Sequence, residues 1–216
     1  MIKKHILKSN DAWLEIRKER IGGSDAACIL GLNPYKSNVE LWEEKTGLKE
    51  PENISEKSYV KYGTEAEKHL RELFKLDYPE YEVLYDENNL IINDKLPFAH
   101  ASLDGELINK ENNQKGVLEI KTSTIFNSIG WNKWKDRIPD NYYIQCLHYL
   151  MVTEYDFVCL KAQLKSATNK DMITTKHYFI NKEDVLDDIK YLKEKEEEFY
   201  KLIINQKRPN LILPEI

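Results

Sequence analysis

The segments SLDG at 102–105 and VLEIK at 117–121 carry the residues that decide the fold. Both read as β-strand, and side chains alternate between the two faces of a strand. Glu119 and Lys121 therefore share one face. A hairpin between the two segments brings Asp104 to the same place, so the sequence predicts two carboxylates and an ammonium group at one end of a sheet.

Two acids and a lysine in this arrangement suit metal-dependent cleavage of phosphodiester bonds. Carboxylates can hold Mg²⁺, which prefers oxygen ligands and keeps several waters. A bound divalent ion polarises a phosphate and lowers the pKa of its water, and a second ion about 3.5–4 Å away stabilises the leaving oxygen. A lysine beside them orients the water or stabilises developing negative charge. The pattern is equally compatible with an exposed strand pair carrying a surface Glu–Lys contact, so the rest of the chain must decide.

The composition is that of a folded, acidic protein. The chain has 216 residues, with 32 Lys and Arg against 37 Asp and Glu, a net charge of −5. This balance argues against indiscriminate coating of nucleic acid but allows a local basic groove. The three cysteines are Cys28, Cys146 and Cys159. They form no CxxC pair, so structural zinc is disfavoured, and a four-cysteine iron–sulfur cluster is excluded within this chain.

The sequence shows no apolar run of membrane-spanning length, no signal-peptide pattern and no GxxxxGK[ST] phosphate loop. We expect a cytoplasmic protein, with no membrane association and with its cysteines as core thiols. We expect one domain over 1–216, with a helical part at 1–55, a catalytic core at 56–180 and a C-terminal helix and tail at 181–216.

Periodicity and turn residues predict the elements along the chain. We expect helices over 10–20, 25–30, 39–46, 56–76, 141–153 and 183–204. We expect strands over 81–85, 90–92, 98–103, 106–108, 117–121, 155–162 and 175–180. The first helix is expected to be capped by Asn10 or Asp11, and Gly47 is expected to end the third helix. Residues 209–216 are expected to trail off.

Ser24 has two interpretations. It is a plausible N-cap of the second helix, which is the plainer structural role. Alternatively, its hydroxyl and the free amides of a helix N-terminus, with Arg17 or Arg20 close by, form an anion pocket. Local sequence favours the cap.

Glu67 stands out in the helix predicted over 56–76. Its position places it on the inward stripe with Leu70, Leu73 and Phe74, whereas Glu65 faces solvent. An acid on a core-facing stripe is unusual unless it is paired or functional. The alternative is a carboxylate at the edge of the stripe, paired with a lysine.

The segment 123–139 combines tryptophans with basic residues, namely Trp131, Lys133, Trp134, Lys135 and Arg137. Aromatic and cationic side chains together suit base stacking and backbone contact with DNA. The equally good alternative is that the tryptophans cover the core. In the helix that follows, Ile144, Leu147 and Met151 are expected to face inward, with Gln145 and Tyr149 one turn apart on an adjacent face.

Five motifs in this order resemble the YqaJ-type viral recombinase family, relatives of phage lambda exonuclease within the PD-(D/E)xK nuclease superfamily. They are WLEIRKERIGGSD at 13–25, GTEAE at 63–67, SLDG at 102–105, LEIK at 118–121 and YYIQCLHYL at 142–150. Each motif is weak alone, and the ordered set is specific. Leu103 occupies the place of the family's usual proline, which should affect the stiffness of the turn more than the chemistry. The implied fold is α/β (α+β), a restriction-endonuclease-like core with a central mixed sheet flanked by helices and an N-terminal helical segment.

The resemblance implies roles for particular residues. Asp104 and Glu119 ligate Mg²⁺ together with the backbone carbonyl of Ile120, Lys121 positions the attacking water, and Glu67 supports the metal–water network. The remaining implied residues are Arg17, Ser24 and Ser102 around a terminal 5′-phosphate, and Gln145 with Tyr149 in a QxxxY element near the scissile bond. Trp131, Trp134 and Arg137 are further candidate DNA contacts from the composition of their segment.

The implied activity is Mg²⁺-dependent 5′→3′ digestion of one strand of linear duplex DNA, which leaves a 3′ single strand for annealing. The expected cofactor is Mg²⁺, replaceable by Mn²⁺, with two ions per site. The expected partners are DNA ends, a phage single-strand-annealing protein and two further copies of the chain in a ring-shaped trimer. The expected setting is a phage or prophage protein in a bacterial host. A ring would also let basic residues line a channel while the outside stays acidic.

Two alternatives use the same residues differently. A structure- or site-dependent endonuclease or nickase would cut covalently closed circles, which an exonuclease cannot enter. A DNA-binding or phage-assembly protein would keep the fold without catalysis, but it would have no chemical need for Asp104, Glu119 and Lys121 together.

Overall fold

Both faces of the 117–121 segment are buried, so this strand requires a layer of structure on each side. The computed structural model describes residues 1–213. Its helices are α1 (Asn10–Glu19), α2 (Gly23–Ile29), α3 (Asn38–Lys45), α4 (Ser58–Asp77), α5 (Ser128–Asn132), α6 (Asp140–Thr153) and α7 (Leu186–Ile204). Its strands are β1 (Ile2–Ile6), β2 (Tyr81–Leu84), β3 (Asn89–Asn93), β4 (Gly105–Asn109), β5 (Lys115–Ile125), β6 (Phe157–Ser166) and β7 (Ile173–Asn181).

The central sheet has five strands in the order β2-β4-β5-β6-β7. Its inner pair, β5 and β6, is parallel, and the other neighbours are antiparallel. A parallel pair needs a crossover connection, which α5 and α6 supply. A second sheet pairs β1 with β3.

Helices cover the two faces of the sheet and build separate apolar clusters. On one face Leu118 and Ile120 pack with Leu70 and Phe74 of α4. On the other face Val117 belongs to a larger cluster that includes α6 and α7. The predicted alternation along β5 is therefore confirmed, and Glu119 and Lys121 lie on the α6 side with Val117.

The starts of the N-terminal helices differ from the prediction. The N-cap of α1 is Ser9, whose hydroxyl accepts from the Ala12 amide at 3.2 Å. The N-cap of α2 is Gly22, so Ser24 lies inside the first turn and the predicted cap role is wrong. Asp25 takes the capping function, since its carboxylate accepts from the Gly22 amide at 3.0 Å. The helix end at Gly47 is confirmed, with φ at 73°.

The segment predicted as a strand over 98–103 is extended but crosses between two partners. Ile21 donates to the Phe98 carbonyl and accepts from the His100 amide, at 2.8 and 2.9 Å. Ala101 then exchanges both backbone hydrogen bonds with Ile91. Only isolated bridges result, because the chain changes partner after two residues.

The structure differs from the prediction at one position of α4 and, in part, in the C-terminal tail. Leu73, expected on the inward stripe of α4, is 49% exposed, since Ala66, Leu70 and Phe74 form the buried row at i, i+4 and i+8. The tail from Pro209 does not trail off completely: Asn38 donates to the Asn210 carbonyl at 2.8 Å. Residues 214–216 of that predicted tail lie outside the described residues.

The burial of the cysteines and the apolar character of the helices bear on where the protein was expected to reside. All three cysteines are buried free thiols, as predicted. Within residues 1–213, no helix combines the length and apolar character that crossing a membrane requires.

Candidate active site

The β4–β5 hairpin brings Asp104 beside β5. Gly105 pairs with Leu118 in the antiparallel register, so Asp104, one residue before β4, meets the next part of β5. Its Oδ2 accepts from the Ile120 amide at 2.8 Å. The carboxyl groups of Asp104 and Glu119 are neighbours, since after burial the charge of Asp104 is the largest cause that raises the pKa of Glu119. The hairpin inferred from sequence therefore does place the two acids together.

Glu119 is the buried centre of the site, with only 1% of its surface exposed. Its Oε1 forms an ion pair with Lys121 Nζ and accepts from Gln145 Nε2 at 2.8 Å. The same amide nitrogen of Gln145 lies 2.7 Å from the Tyr149 hydroxyl. Helix α6 thus supplies a polar wall behind Glu119, and the pair Gln145–Tyr149 proposed from i, i+4 spacing is brought to the site.

Helix α4 contributes Glu67 from the flank of its buried stripe. Arg71, one turn later, forms an ion pair with Glu67 Oε1 through Nη2. Its Nε donates to the backbone carbonyl of Asp104. The partner of Glu67 is therefore an arginine rather than the lysine of the alternative interpretation. Arg71 was missed from sequence, and its i+4 spacing from Glu67 is the signal that would have indicated it.

Three acidic side chains are crowded at the site, and the nearby positive charges do not fully compensate their negative charge. Burial, followed by the neighbouring Asp104 carboxylate, raises the pKa of Glu119 to about 8. Burial and Asp104 also raise the pKa of Glu67 to about 7. Burial raises the pKa of Asp104 above its usual value, although Lys121 opposes it. Neighbouring carboxylates disfavour each other's ionised form, because their charges repel.

Lys121 stays positively charged in these surroundings. Burial alone would lower the pKa of its ammonium, but the carboxylates of Glu119 and Asp104 outweigh burial and raise it. Its Nζ also lies 5.4 Å from the centre of the Tyr142 ring. One lysine and Arg71 therefore face three carboxyl groups.

The donor set fits a hard divalent cation. The second oxygen of Glu119, Oε2, is buried and has no hydrogen-bond partner within the described part of the chain. A buried carboxylate oxygen without a partner is costly, and a cation between Glu119 and Asp104 would satisfy it. Among residues 1–213 no group of three His, Cys, Asp or Glu side chains has metal-binding geometry. Two carboxylates with a backbone carbonyl and waters are nevertheless an ordinary Mg²⁺ set.

A second cluster joins the residues expected around a terminal phosphate. Arg17 Nη2 donates to the Ser24 hydroxyl at 3.1 Å. The guanidinium of Arg17 also stacks on the Trp13 ring, 4.3 Å from its centre, and Trp13 Nε1 donates to the Ser102 hydroxyl at 2.8 Å. The three predicted residues thus belong to one contact chain, in which Trp13 is the link that sequence reasoning had not assigned to the site.

A buried ion pair fixes the two helices that carry this cluster. Lys45 of α3 pairs with Asp25 at 2.8 Å and donates to the carbonyls of Arg17 and Arg20 at 2.6 and 2.7 Å. The lysine therefore satisfies free carbonyls at the C-terminal end of α1. Arg20 itself donates to the Pro97 carbonyl rather than joining Ser24.

The two clusters meet at Gly23. A Cβ at this position would lie 2.8 Å from Cε1 of Tyr149 and 3.1 Å from Cγ of Gln145. Because only glycine permits this approach, the first turn of α2 rests directly on the polar wall behind Glu119.

The remaining candidate DNA contacts lie apart from these clusters. Trp134 is 3% exposed and belongs to the core, so it fits the alternative of core cover. Trp131 is partly buried against the same core. Arg137 is exposed and pairs with Asp140 at 3.1 Å. Of these three residues, Arg137 alone has a largely exposed side chain.

Comparison with known proteins places the chain in a family. The family described as the YqaJ-like viral recombinase domain matches residues 12–156. The uncharacterized protein YqaJ of Bacillus subtilis is 33% identical over 145 residues, which are 67% of this chain and 42% of that protein. The chain thus spans less than half the length of this relative.

Solved structures support the predicted fold class. The alkaline exonuclease LHK-Exo from Laribacter hongkongensis superposes with a TM-score of 0.63 at 17% identity, over 92% of this chain and 97% of that one. Its complex with dAMP gives a TM-score of 0.60 over the same shares. This likeness confirms the predicted fold, a mixed sheet flanked by helices. From its sequence match, the chain belongs to the YqaJ-like viral recombinase domain family.

Proposed function

We propose that this chain is a metal-dependent deoxyribonuclease that digests one strand of linear duplex DNA from its 5′ end. The observation that carries the proposal is the unpartnered oxygen of Glu119, buried within reach of Asp104 and beside Lys121. Crowded buried carboxylates destabilise a folded protein, so their presence together indicates a functional use.

The carboxylates of Asp104 and Glu119 and the carbonyl of Ile120 would hold Mg²⁺, or Mn²⁺ in its place. Bound there, one or two such ions supply Lewis-acid chemistry, which polarises the scissile phosphate and makes a nearby water more acidic.

The protein's own side chains orient the reacting groups. Lys121 presents a fixed ammonium group on the same face as Glu119, where it can donate to the attacking water or to a phosphate oxygen. Gln145 fixes the orientation of Glu119 by donating to Oε1. Arg71 binds one oxygen of Glu67, which leaves the other available to order water.

The cluster around Arg17 supports the proposed polarity of digestion. A guanidinium with the Ser24 and Ser102 hydroxyls offers charge-assisted hydrogen bonds to a terminal 5′-phosphate. Since the first turn of α2 contacts Gln145, a phosphate held there would lie next to the cleavage site. This supports 5′→3′ polarity and a 3′ single-stranded product.

The relatives support the wider setting. A viral recombinase domain suits a phage-type protein whose single-stranded product is passed to an annealing protein. LHK-Exo is an alkaline exonuclease, and its complex with dAMP suits stepwise release of nucleotides. We further propose a ring-shaped homotrimer around DNA, in which basic residues face the channel of an otherwise acidic protein.

The proposal is tested with three duplexes: linear with 5′-phosphate, linear with 5′-hydroxyl, and covalently closed circular. With Mg²⁺ we expect rapid loss of the phosphorylated linear DNA, slower loss of the hydroxyl form and an intact circle. Asp104→Ala should abolish digestion and retain DNA binding, with Asp171→Ala, an exposed acid outside the site, as the control.

Two outcomes would replace the proposal. Cutting of the closed circle would indicate the endonuclease. Binding of all three duplexes without cutting, in either Mg²⁺ or Mn²⁺, would indicate a DNA-binding protein that keeps the fold alone.

A further inference from the structure

Arg71 is a deeply buried cation with more contacts than its ion pair with Glu67 requires. It lies on α4 and is 6% exposed. Burying an ion costs several kcal/mol unless its hydrogen bonds are satisfied in good geometry. The position of its partners therefore indicates what the residue does.

Three different groups contact the guanidinium of Arg71. Nη2 pairs with Glu67 Oε1, and Nε donates to the backbone carbonyl of Asp104. The flat face of the group lies 3.5 Å from the centre of the Tyr85 ring. Two nitrogens and one face of this rigid planar group are thus used, and two of its three partners are residues of the candidate active site.

These contacts bridge separate parts of the chain. Glu67 belongs to α4, whereas Asp104 belongs to the loop before β4, more than thirty residues later. Asp104 is held at two points. Its side chain accepts a hydrogen bond from the Ile120 amide, and its backbone carbonyl accepts one from Arg71. Tyr85, in the loop after β2, limits the movement of the guanidinium on its open side.

A lysine in place of Arg71 could not reproduce this geometry. The guanidinium is a planar fork with several fixed donors, whereas an ammonium group is a point charge on a flexible stem. The lysine would keep the charge beside Glu67 but would lose either the bond to Asp104 or the stacking on Tyr85. Arg71→Lys therefore keeps the positive charge at this position and changes only the geometry of its contacts.

We propose that Arg71, backed by Tyr85, is a positioning residue that sets the affinity of the site for its divalent cation by holding Asp104 and Glu67 in place. This inference rests on the proposed metal-dependent function. Partners that orient metal ligands in this way commonly change metal affinity by about 10- to 100-fold when they are replaced.

The test measures Mn²⁺ binding directly by calorimetry in the absence of DNA, for the wild type and for Arg71→Lys. We expect Arg71→Lys to weaken Mn²⁺ binding by about tenfold or more. The Mg²⁺ concentration for half-maximal digestion should rise by a similar factor, and much of the maximal rate should return at high Mg²⁺. DNA affinity without a divalent cation should be unchanged.

The control is Asp77→Asn on the same helix. It breaks the pair with the buried Lys161, at 2.9 Å, away from the site. We expect this variant to lower thermal stability and to leave Mn²⁺ affinity unchanged. A general loss of rigidity in α4 is thereby separated from positioning of the metal ligands.

A second pair of variants keeps the test valid if Arg71→Lys fails to fold. Tyr85 is 42% exposed, so its replacement should be tolerated. Tyr85→Leu removes the stacked ring and should weaken Mn²⁺ binding about two- to fivefold. Tyr85→Phe keeps the ring and should bind Mn²⁺ with the affinity of the wild type.

The outcomes distinguish this inference from the function on which it rests. Wild-type protein that binds no Mn²⁺ and cuts no DNA would overturn the proposed function and the role of Arg71 with it. If the wild type binds Mn²⁺ and cuts DNA, unchanged Mn²⁺ affinity in Arg71→Lys would overturn the role of Arg71 alone. If Arg71→Lys does not fold, equal Mn²⁺ affinity in Tyr85→Leu and Tyr85→Phe would do the same.

Discussion

Glu119→Gln should make the metal-free protein more stable at alkaline pH, although it removes a central residue of the site. Burial and the Asp104 carboxylate raise the pKa of Glu119 from 4.5 to about 8 in the folded protein. A carboxyl group whose pKa is raised by folding stabilises fully below its unfolded pKa. That stability is lost as the pH rises through the folded pKa.

The expected size follows from this linkage. Between about pH 6.5 and about pH 8 the unfolded chain carries Glu119 ionised, whereas the folded protein retains most of one proton there. One proton corresponds to about 1.4 kcal/mol per pH unit, so Glu119 lowers the free energy of unfolding by about 2 kcal/mol over this window. In Glu119→Gln the amide oxygen still accepts from Gln145, and the new NH₂ group replaces the unpartnered oxygen next to the Asp104 charge.

The measurement is urea unfolding in EDTA at several pH values from 6.5 to 8, for wild type and Glu119→Gln. The buried His148–Glu196 pair and Glu67, whose pKa burial raises to about 7, also depend on pH in this range. Both proteins contain these groups, so the difference between the two curves reports chiefly on the Glu119 carboxyl group and on its interaction with the neighbouring acids. Glu65→Gln, at an exposed position of α4, is the control. Parallel curves for wild type and Glu119→Gln would refute the inference that this carboxyl group is destabilised by burial and by Asp104.

Three further predictions concern catalysis and end recognition. Lys121→Ala should reduce the rate of digestion by orders of magnitude while DNA affinity is kept, and rates within a few-fold of wild type would exclude a direct role. Arg17→Ala should remove the preference for 5′-phosphate over 5′-hydroxyl ends, by about 10- to 150-fold for a charge-assisted bond of about 1.5–3 kcal/mol; an intact preference would show that the phosphate is held elsewhere. Gly23→Ala should lower the rate constant and destabilise by about 1–3 kcal/mol, because its Cβ would lie 2.8 Å from Tyr149. Gly63→Ala meets only Thr122 Oγ1 at 3.4 Å and serves as its control, so equal effects of the two changes would contradict this reasoning.

The parts of the site that depend on local periodicity could be predicted from the sequence. Strand alternation placed Glu119 and Lys121 on one face, and helical spacing singled out Glu67 from Glu65. The i, i+4 spacing put Gln145 and Tyr149 on one face of their helix, whereas their place in the site was implied by the family resemblance. Each of these inferences needs only the geometry of one element, which neighbouring residues determine.

The parts that depend on distant partners could not be predicted. Strand β1 is exposed along its length and exists through pairing with β3, more than eighty residues away. Arg71 looks like one more cation on a helix until the fold brings the Asp104 carbonyl to it. At the start of α2 two local signals competed, and the Gly22–Asp25 capping pair prevailed over Ser24, which left the serine hydroxyl free to meet Arg17.

The proposed end recognition and the proposed cleavage would share one structural support in this molecule. The first turn of α2 carries Ser24 and rests through Gly23 on Gln145, which in turn donates to Glu119. A phosphate held by Arg17 and Ser24 would therefore have a fixed position relative to the cleavage site, because packed helices rather than a mobile loop join the two. A fixed spacing of this kind suits an enzyme that removes nucleotides from an end, since each newly exposed 5′-phosphate must return to the same position before the next bond is cut. An endonuclease has no need for such a coupling, and the contact at Gly23 accordingly favours the exonuclease among the activities that the carboxylates alone would allow.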